Sequence, residues 1–170
     1  MTHHQHTLHD PHFGEITVHL EIGVAVEITG AAVPTGDIRS RLPEGGEPRP
    51  DTAIGTRKQA ELTMTVGVSQ ARVRPARGHL TRGSYRVDVT HEGTRYRLIP
   101  NGMTGSRFLR NGGELAVVTT DEGHEVTVDW TATPLPADAT VAYLLATAFG
   151  TGGMPLWMVT AEAIGALLPG

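Results

Sequence analysis

Seven aliphatic residues occupy successive even positions, Ile16, Val18, Leu20, Ile22, Val24, Val26 and Ile28, with mainly polar or small residues between them. A period of two sends alternate side chains to opposite faces of a strand. Residues 15–29 therefore predict one long strand, or two joined near Gly23, with one face buried. The same alternation returns at Leu62, Met64, Val66 and Val68, at Tyr85, Val87 and Val89, at Tyr96 and Leu98, and at Val126, Val128 and Trp130. A two-residue turn at Glu92-Gly93 sets Val89 opposite Tyr96 and Val87 opposite Leu98, and on the other face it sets Asp88 opposite Arg97. Asn111-Gly112-Gly113 and Asp121-Glu122-Gly123 read as the next turns, with a strand over Leu115–Thr120. The result is an antiparallel meander.

The chain then changes character. Thr133-Pro134-Leu135-Pro136 stops the last strand, and Asp138 is placed to cap a helix running to about Phe149. Val141, Leu144, Leu145, Ala148 and Phe149 form one stripe, while Ala142, Tyr143, Ala146 and Thr147 leave the other side almost as apolar. A helix that is apolar nearly all round must be enclosed. In a chain of strands the natural enclosure is a curved sheet, so the fold class expected is mainly β, a meander closing as a barrel around an apolar C-terminal helix. A second short helix is expected over residues 156–168. Residues 30–57, with four prolines between Pro34 and Pro50, read as a long loop. Residues 1–13 read as a flexible His-rich tail, leaving residues 14–170 as a single domain.

Composition narrows the classes of function. The 170 residues suit one domain, and the absence of cysteine excludes disulfides, thiolate metal sites and a cysteine nucleophile. No apolar run of about 20 residues reads as a spanning helix, and the N-terminal dozen has no apolar core of a secretory signal, so a cytoplasmic protein is the default expectation. Charge falls in blocks. Residues 1–71 carry five basic against nine acidic residues, residues 72–110 carry nine arginines against Asp88 and Glu92, and residues 111–170 carry seven acids and no base. The middle block is thus +7 in a chain of net charge −4. Such blocks either form an interaction surface or neutralise one another across the fold.

The stretch from about Ser84 to Gly150 resembles the tubby-like superfamily, particularly the plant LURP-one-related proteins, the phospholipid scramblases and their bacterial relatives. The resemblance is carried by Glu125-Val-Thr-Val-Asp-Trp130, by the Pro134-Leu-Pro-Ala-Asp138 break and by Val141-Ala-Tyr-Leu-Leu-Ala-Thr-Ala-Phe149. It implies a roughly twelve-stranded antiparallel barrel with a helix along its axis, without catalysis and with affinity for anionic lipid. The lysines with which tubby proteins hold phosphoinositides have no counterpart here, and no binding residue is carried over.

Candidate chemistry is sparse. His3, His4, His6, His9 and His12 are imidazole donors for a divalent metal, and His19 with Glu21 forms one H-x-E fragment. There is no G-x-S-x-G elbow, and Gly150-Thr-Gly-Gly153 follows a helix rather than a strand, which disfavours a phosphate loop. The arginine block is the leading candidate, because guanidinium forks match phosphate. Arg72, Arg74, Arg82, Arg86 and Arg95 are the expected anion-binding residues. The function expected is a non-catalytic binding or scaffold protein for anionic lipid or a phosphorylated ligand, with no cofactor and no sequence-specific nucleic-acid binding. Two alternatives stand beside it: a self-assembling homo-oligomer using the apolar 154–168 stretch, and a small metal-dependent β-barrel enzyme.

Overall fold

The computed structural model describes residues 2–78, 81–121 and 123–153. Among these residues eleven strands follow one another in a single antiparallel sheet whose spatial order is the chain order. They are β1 (His3–Asp10), β2 (Gly14–Glu21), β3 (Ala25–Thr29), β4 (Gly36–Ser40), β5 (Leu62–Val66), β6 (Ser69–Pro75), β7 (Val87–His91), β8 (Thr94–Pro100), β9 (Gly105–Arg110), β10 (Gly113–Thr120) and β11 (Val126–Trp130). The sheet curls into a nearly closed barrel. One helix, α1 (Pro136–Phe149), packs against its buried face and touches strands from both halves, β2 to β5 on one side and β8, β10 and β11 on the other.

The even-numbered aliphatics behave as their period requires. Ile16, Val18 and Leu20 of β2 and Val26 and Ile28 of β3 are buried, while Ile22 and Val24 fall in the turn around Gly23, so the long alternation is two strands. The β7–β8 hairpin pairs Val87 with Leu98, Asp88 with Arg97 and Val89 with Tyr96. Its two turn residues, Glu92 and Gly93, both have positive φ (47° and 79°), the mirror-image turn whose twist suits a hairpin.

Helix α1 is buried from Asp138 to Phe149, and Ala139, Val141, Leu144 and Leu145 have no exposed surface. Each fully buried aliphatic side chain of this kind contributes about 1.5–3 kcal/mol, so the helix is held by enclosure rather than by one amphipathic stripe. Close approach is built in at Gly36, where a Cβ would stand 2.5 Å from Thr140 Cγ2 and 2.9 Å from Leu144 Cδ1.

Two carboxylates without solvent exposure fasten this core. Asp10, at the end of β1, accepts hydrogen bonds from the indole Nε1–H of Trp130 (2.9 Å), the hydroxyl of Tyr143 (2.6 Å) and the backbone N–H groups of His12 and Phe13. Asp138 accepts from the hydroxyl of Tyr96 (2.8 Å), from the Leu135 N–H (2.7 Å) and from the Arg110 guanidinium. Charges this deep persist only when hydrogen-bonded on every side. Each carboxylate ties α1 or its first turn to strands remote in sequence. Burial, and then the hydrogen bond to its carboxylate, pushes the hydroxyl pKa of both Tyr96 and Tyr143 well up.

Four expectations are corrected or bounded. Residues 3–10 are a strand paired along their length with β2, not a flexible tail. The expected loop of 30–57 contains β4, and Ile54, Gly55, Thr56 and Arg57 within it are buried. Asp138 is the third residue of α1 rather than its cap, because Pro136 takes the first helical position, which suits a residue without an N–H. The second helix, expected over 156–168, lies outside the described residues.

Candidate anion-binding site

The nine arginines of residues 72–110 sort into two groups by what they face. Arg97 grips Asp88 with two bonds, 2.6 and 3.1 Å, and this hydrogen-bonded pairing raises its pKa. Arg86 lies 3.9 Å from the same carboxylate, Arg107 bonds Glu114 at 2.7 Å, and Arg110 is drawn into the core by Asp138. Arg72, Arg74, Arg77, Arg82 and Arg95 have no carboxylate within ion-pair distance among the described residues, and all five are exposed.

Register explains why three of the free ones gather. On β6, Arg72 and Arg74 flank buried Val73, so both point outward. Arg72 stands opposite Thr90 and Arg74 opposite Asp88 on β7, and those residues stand opposite Arg95 and Arg97 on β8. The outer face therefore carries two cross-strand rows, Arg72–Thr90–Arg95 and Arg74–Asp88–Arg97. Asp88 stands between Arg74 and Arg97, with Arg86 at 3.9 Å, and is already committed to Arg97. A groove of about 380 Å³ runs over this face, lined by Arg74, Arg95, Arg97, Asp88, Thr90 and Asn111. Beyond Thr90 a second groove, about 510 Å³, has Arg72 in its wall with Gln59 and Gln70.

The five expected anion-binding residues thus divide. Arg72, Arg74 and Arg95 are brought together. Arg86, just before β7, is bonded to the Gly83 carbonyl and lies near Asp88. Arg82 sits in a short 3₁₀ turn (Arg82–Tyr85), close to Gly153 and outside both cross-strand rows. Arg97 and Asn111 join the groove although the sequence offered no reason to single out Asn111 as a binding residue; from the β9–β10 turn its side chain accepts the Arg95 N–H of β8.

The histidines do not form the expected chelating tail. Strand alternation turns His3 and His9 outward and leaves His4 and His6 half-buried on the other face, with His12 exposed beyond the strand. The His4 ring lies 5.5 Å from that of His124. Among the described residues no three His, Asp or Glu side chains converge as a metal group would. His19 and Glu21 alternate on β2 opposite Glu27 and Ala25 of β3.

One cation missed by the sequence reading is buried. Arg57 is 6% exposed, donates to the Ala76 carbonyl, and lies 5.3 Å from the Tyr85 ring centre and 5.7 Å from that of Phe149. Burial pushes its pKa down to about 10, still high enough to keep the charge near neutrality. Aromatic faces stand in for the missing carboxylate.

No protein-family model, no curated protein and no solved structure matches this chain. No helix among the described residues is long and apolar enough to cross a membrane.

Proposed function

We propose that this is a non-catalytic binding protein that captures phosphate groups, above all those of anionic lipid, on the outer face of β6–β8. The observation that carries the reading is the exposed and unpaired state of Arg72, Arg74 and Arg95 across adjacent strands of a protein that is acidic overall. A guanidinium left free beside other guanidiniums repels them, and a multivalent anion relieves that repulsion while accepting bidentate bonds. Screening within about 8–10 Å lets this local field prevail over the distant acidic segments. The resemblance to tubby-like barrels agrees with the reading, and we take α1 to be the axial helix of such a barrel. The self-assembly alternative rests on residues 154–168, outside the described region, and no specific observation favours it.

Sedimentation with vesicles tests the proposal. Binding to vesicles containing phosphatidylserine should exceed binding to pure phosphatidylcholine and fall steeply with salt. Each basic residue at such a surface is worth roughly 1 kcal/mol, so joint Arg72→Glu and Arg74→Glu reversal should weaken it more than tenfold. Competition by inositol hexakisphosphate distinguishes a free phosphorylated ligand from a membrane surface. Equal binding to both vesicle types at low salt would remove the reading.

A further inference from the structure

Among the described residues the sheet has eleven strands, each antiparallel to its neighbour, so β1 and β11 run in the same direction. Among the described residues these two strands share no ladder, and they are the free edges of the sheet. Their side chains nevertheless meet at both ends of the seam. His4 lies against His124 where β1 begins, and Asp10 holds Trp130 where both strands end. Between those contacts a groove of about 300 Å³ opens, lined by His6, Thr7 and Leu8 from one edge and by Val126 and Thr127 from the other. Among the described residues the buried His6 Nε2 atom has no hydrogen-bond partner.

Unpaired strand edges are templates for another strand, and closing a barrel is the usual way to remove them. Direct pairing of β1 with β11 would introduce one parallel ladder, whereas one inserted strand running opposite to both keeps every ladder antiparallel. Gly150 follows α1 at the end of the barrel where β1 begins, as the bonds from Ile54 to Ala148 and from Gly23 to Ala53 show, so a segment entering from there would run parallel to both edges. The rim of the groove carries Asp121 and Glu125 and no lysine or arginine.

We infer that the β1–β11 seam is a docking site for an extended basic peptide of another protein, which adds as a strand antiparallel to both edges. Backbone bonds to the two edges hold it, alternate side chains pass to the two faces, and basic side chains meet Asp121 and Glu125. The site is independent of the arginine face, which lies on β6–β8.

The probe is the synthetic peptide Thr-Val-Lys-Val-Lys-Val-Thr, titrated into the full chain with amide hydrogen exchange followed by NMR. In the free protein, the amides of residues 3–10 and 126–130 that face neither β2 nor β10 should exchange rapidly. Peptide should slow them at least tenfold, and N-methylation of its alternate residues should cut affinity by about tenfold or more, since several bonds are removed without touching the protein. Glu125→Lys should weaken binding, and the peptide should leave the outward arginines of β6–β8 unshifted. Slow exchange of these amides in the free chain would show the seam already closed and overturn the inference. So would absence of binding at millimolar peptide, equal binding of the N-methylated peptide, or a dimer in light scattering whose interface protects the same amides.

Discussion

Arg110 and Arg74 belong to the same arginine-rich block and come to opposite ends. Arg110 reaches from β9 to the fully buried Asp138, which also holds Tyr96 and the first turn of α1. Arg74 stands on the outer face of β6 opposite a carboxylate that Arg97 has already taken. An ion pair in the core is a scaffold whose removal leaves an uncompensated charge, whereas an unpaired surface cation contributes little to the fold and stays available to a ligand. The contrast teaches that the +7 charge of residues 72–110 is not one feature. It is a paired set, Arg86, Arg97, Arg107 and Arg110, of which Arg110 alone reaches the core, laid beside a free set.

The contrast can be broken most severely from inside. Leu145→Asp places a carboxylate among fully buried apolar neighbours with no partner, a cost of several kcal/mol against a total stability of about 5–15, so soluble, cooperatively folded protein should not be recovered. Asp138→Ala strands the Arg110 cation and the Tyr96 hydroxyl together and should cost about 3–5 kcal/mol in urea denaturation. Arg74→Ala, measured the same way, should stay within about 0.5 kcal/mol of the wild type. An intermediate effect is expected at Tyr143→Phe, where Asp10 keeps Trp130 and two backbone donors; about 1–2 kcal/mol should be lost.

Alkaline titration sharpens the same point. The hydroxyls of Tyr96 and Tyr143 have folded-state pKa values raised above the ordinary value near 10. The folded protein therefore holds these protons more tightly than the unfolded chain does. Their stabilisation is complete below about pH 10 and is lost progressively as pH rises beyond it. The urea midpoint should stay level from pH 7 to 9 and fall above 10, less steeply in Tyr143→Phe.

Much of this was legible in sequence, and the failures have a shared cause. The β7–β8 hairpin follows from alternation plus one turn, both local, and its Asp88–Arg97 pair came with the register. β1 was missed because His3, Gln5, Thr7 and His9 point outward and, of the inward positions His4, His6, Leu8 and Asp10, only Leu8 is aliphatic, so an edge strand of a nearly closed barrel shows little hydrophobic signal. β4 was missed because, of its inward positions Gly36, Ile38 and Ser40, only Ile38 is apolar and large, Gly36 being kept small by the helix pressing on it. The latches were invisible because Asp10 and Trp130 are separated by 120 residues. Pairing at that distance leaves no local pattern, and without it nothing distinguishes Arg110 from Arg74.

The smallest structural change offers a gain rather than a loss. Asp88→Asn removes the one carboxylate among Arg74, Arg86 and Arg97 while keeping a side chain of the same shape. Stability should move by no more than about 1 kcal/mol, and affinity for phosphatidylserine vesicles should rise about fivefold, one added charge being worth roughly 1 kcal/mol.

The division of the arginines is tested most directly by the side-chain Nε–H resonances of the protein during titration with inositol hexakisphosphate. Arg72, Arg74 and Arg95 should shift together, saturably and with strong salt dependence, while Arg107 and Arg110 stay fixed. Shifts confined to the paired arginines, or no shift at low salt, would contradict the account.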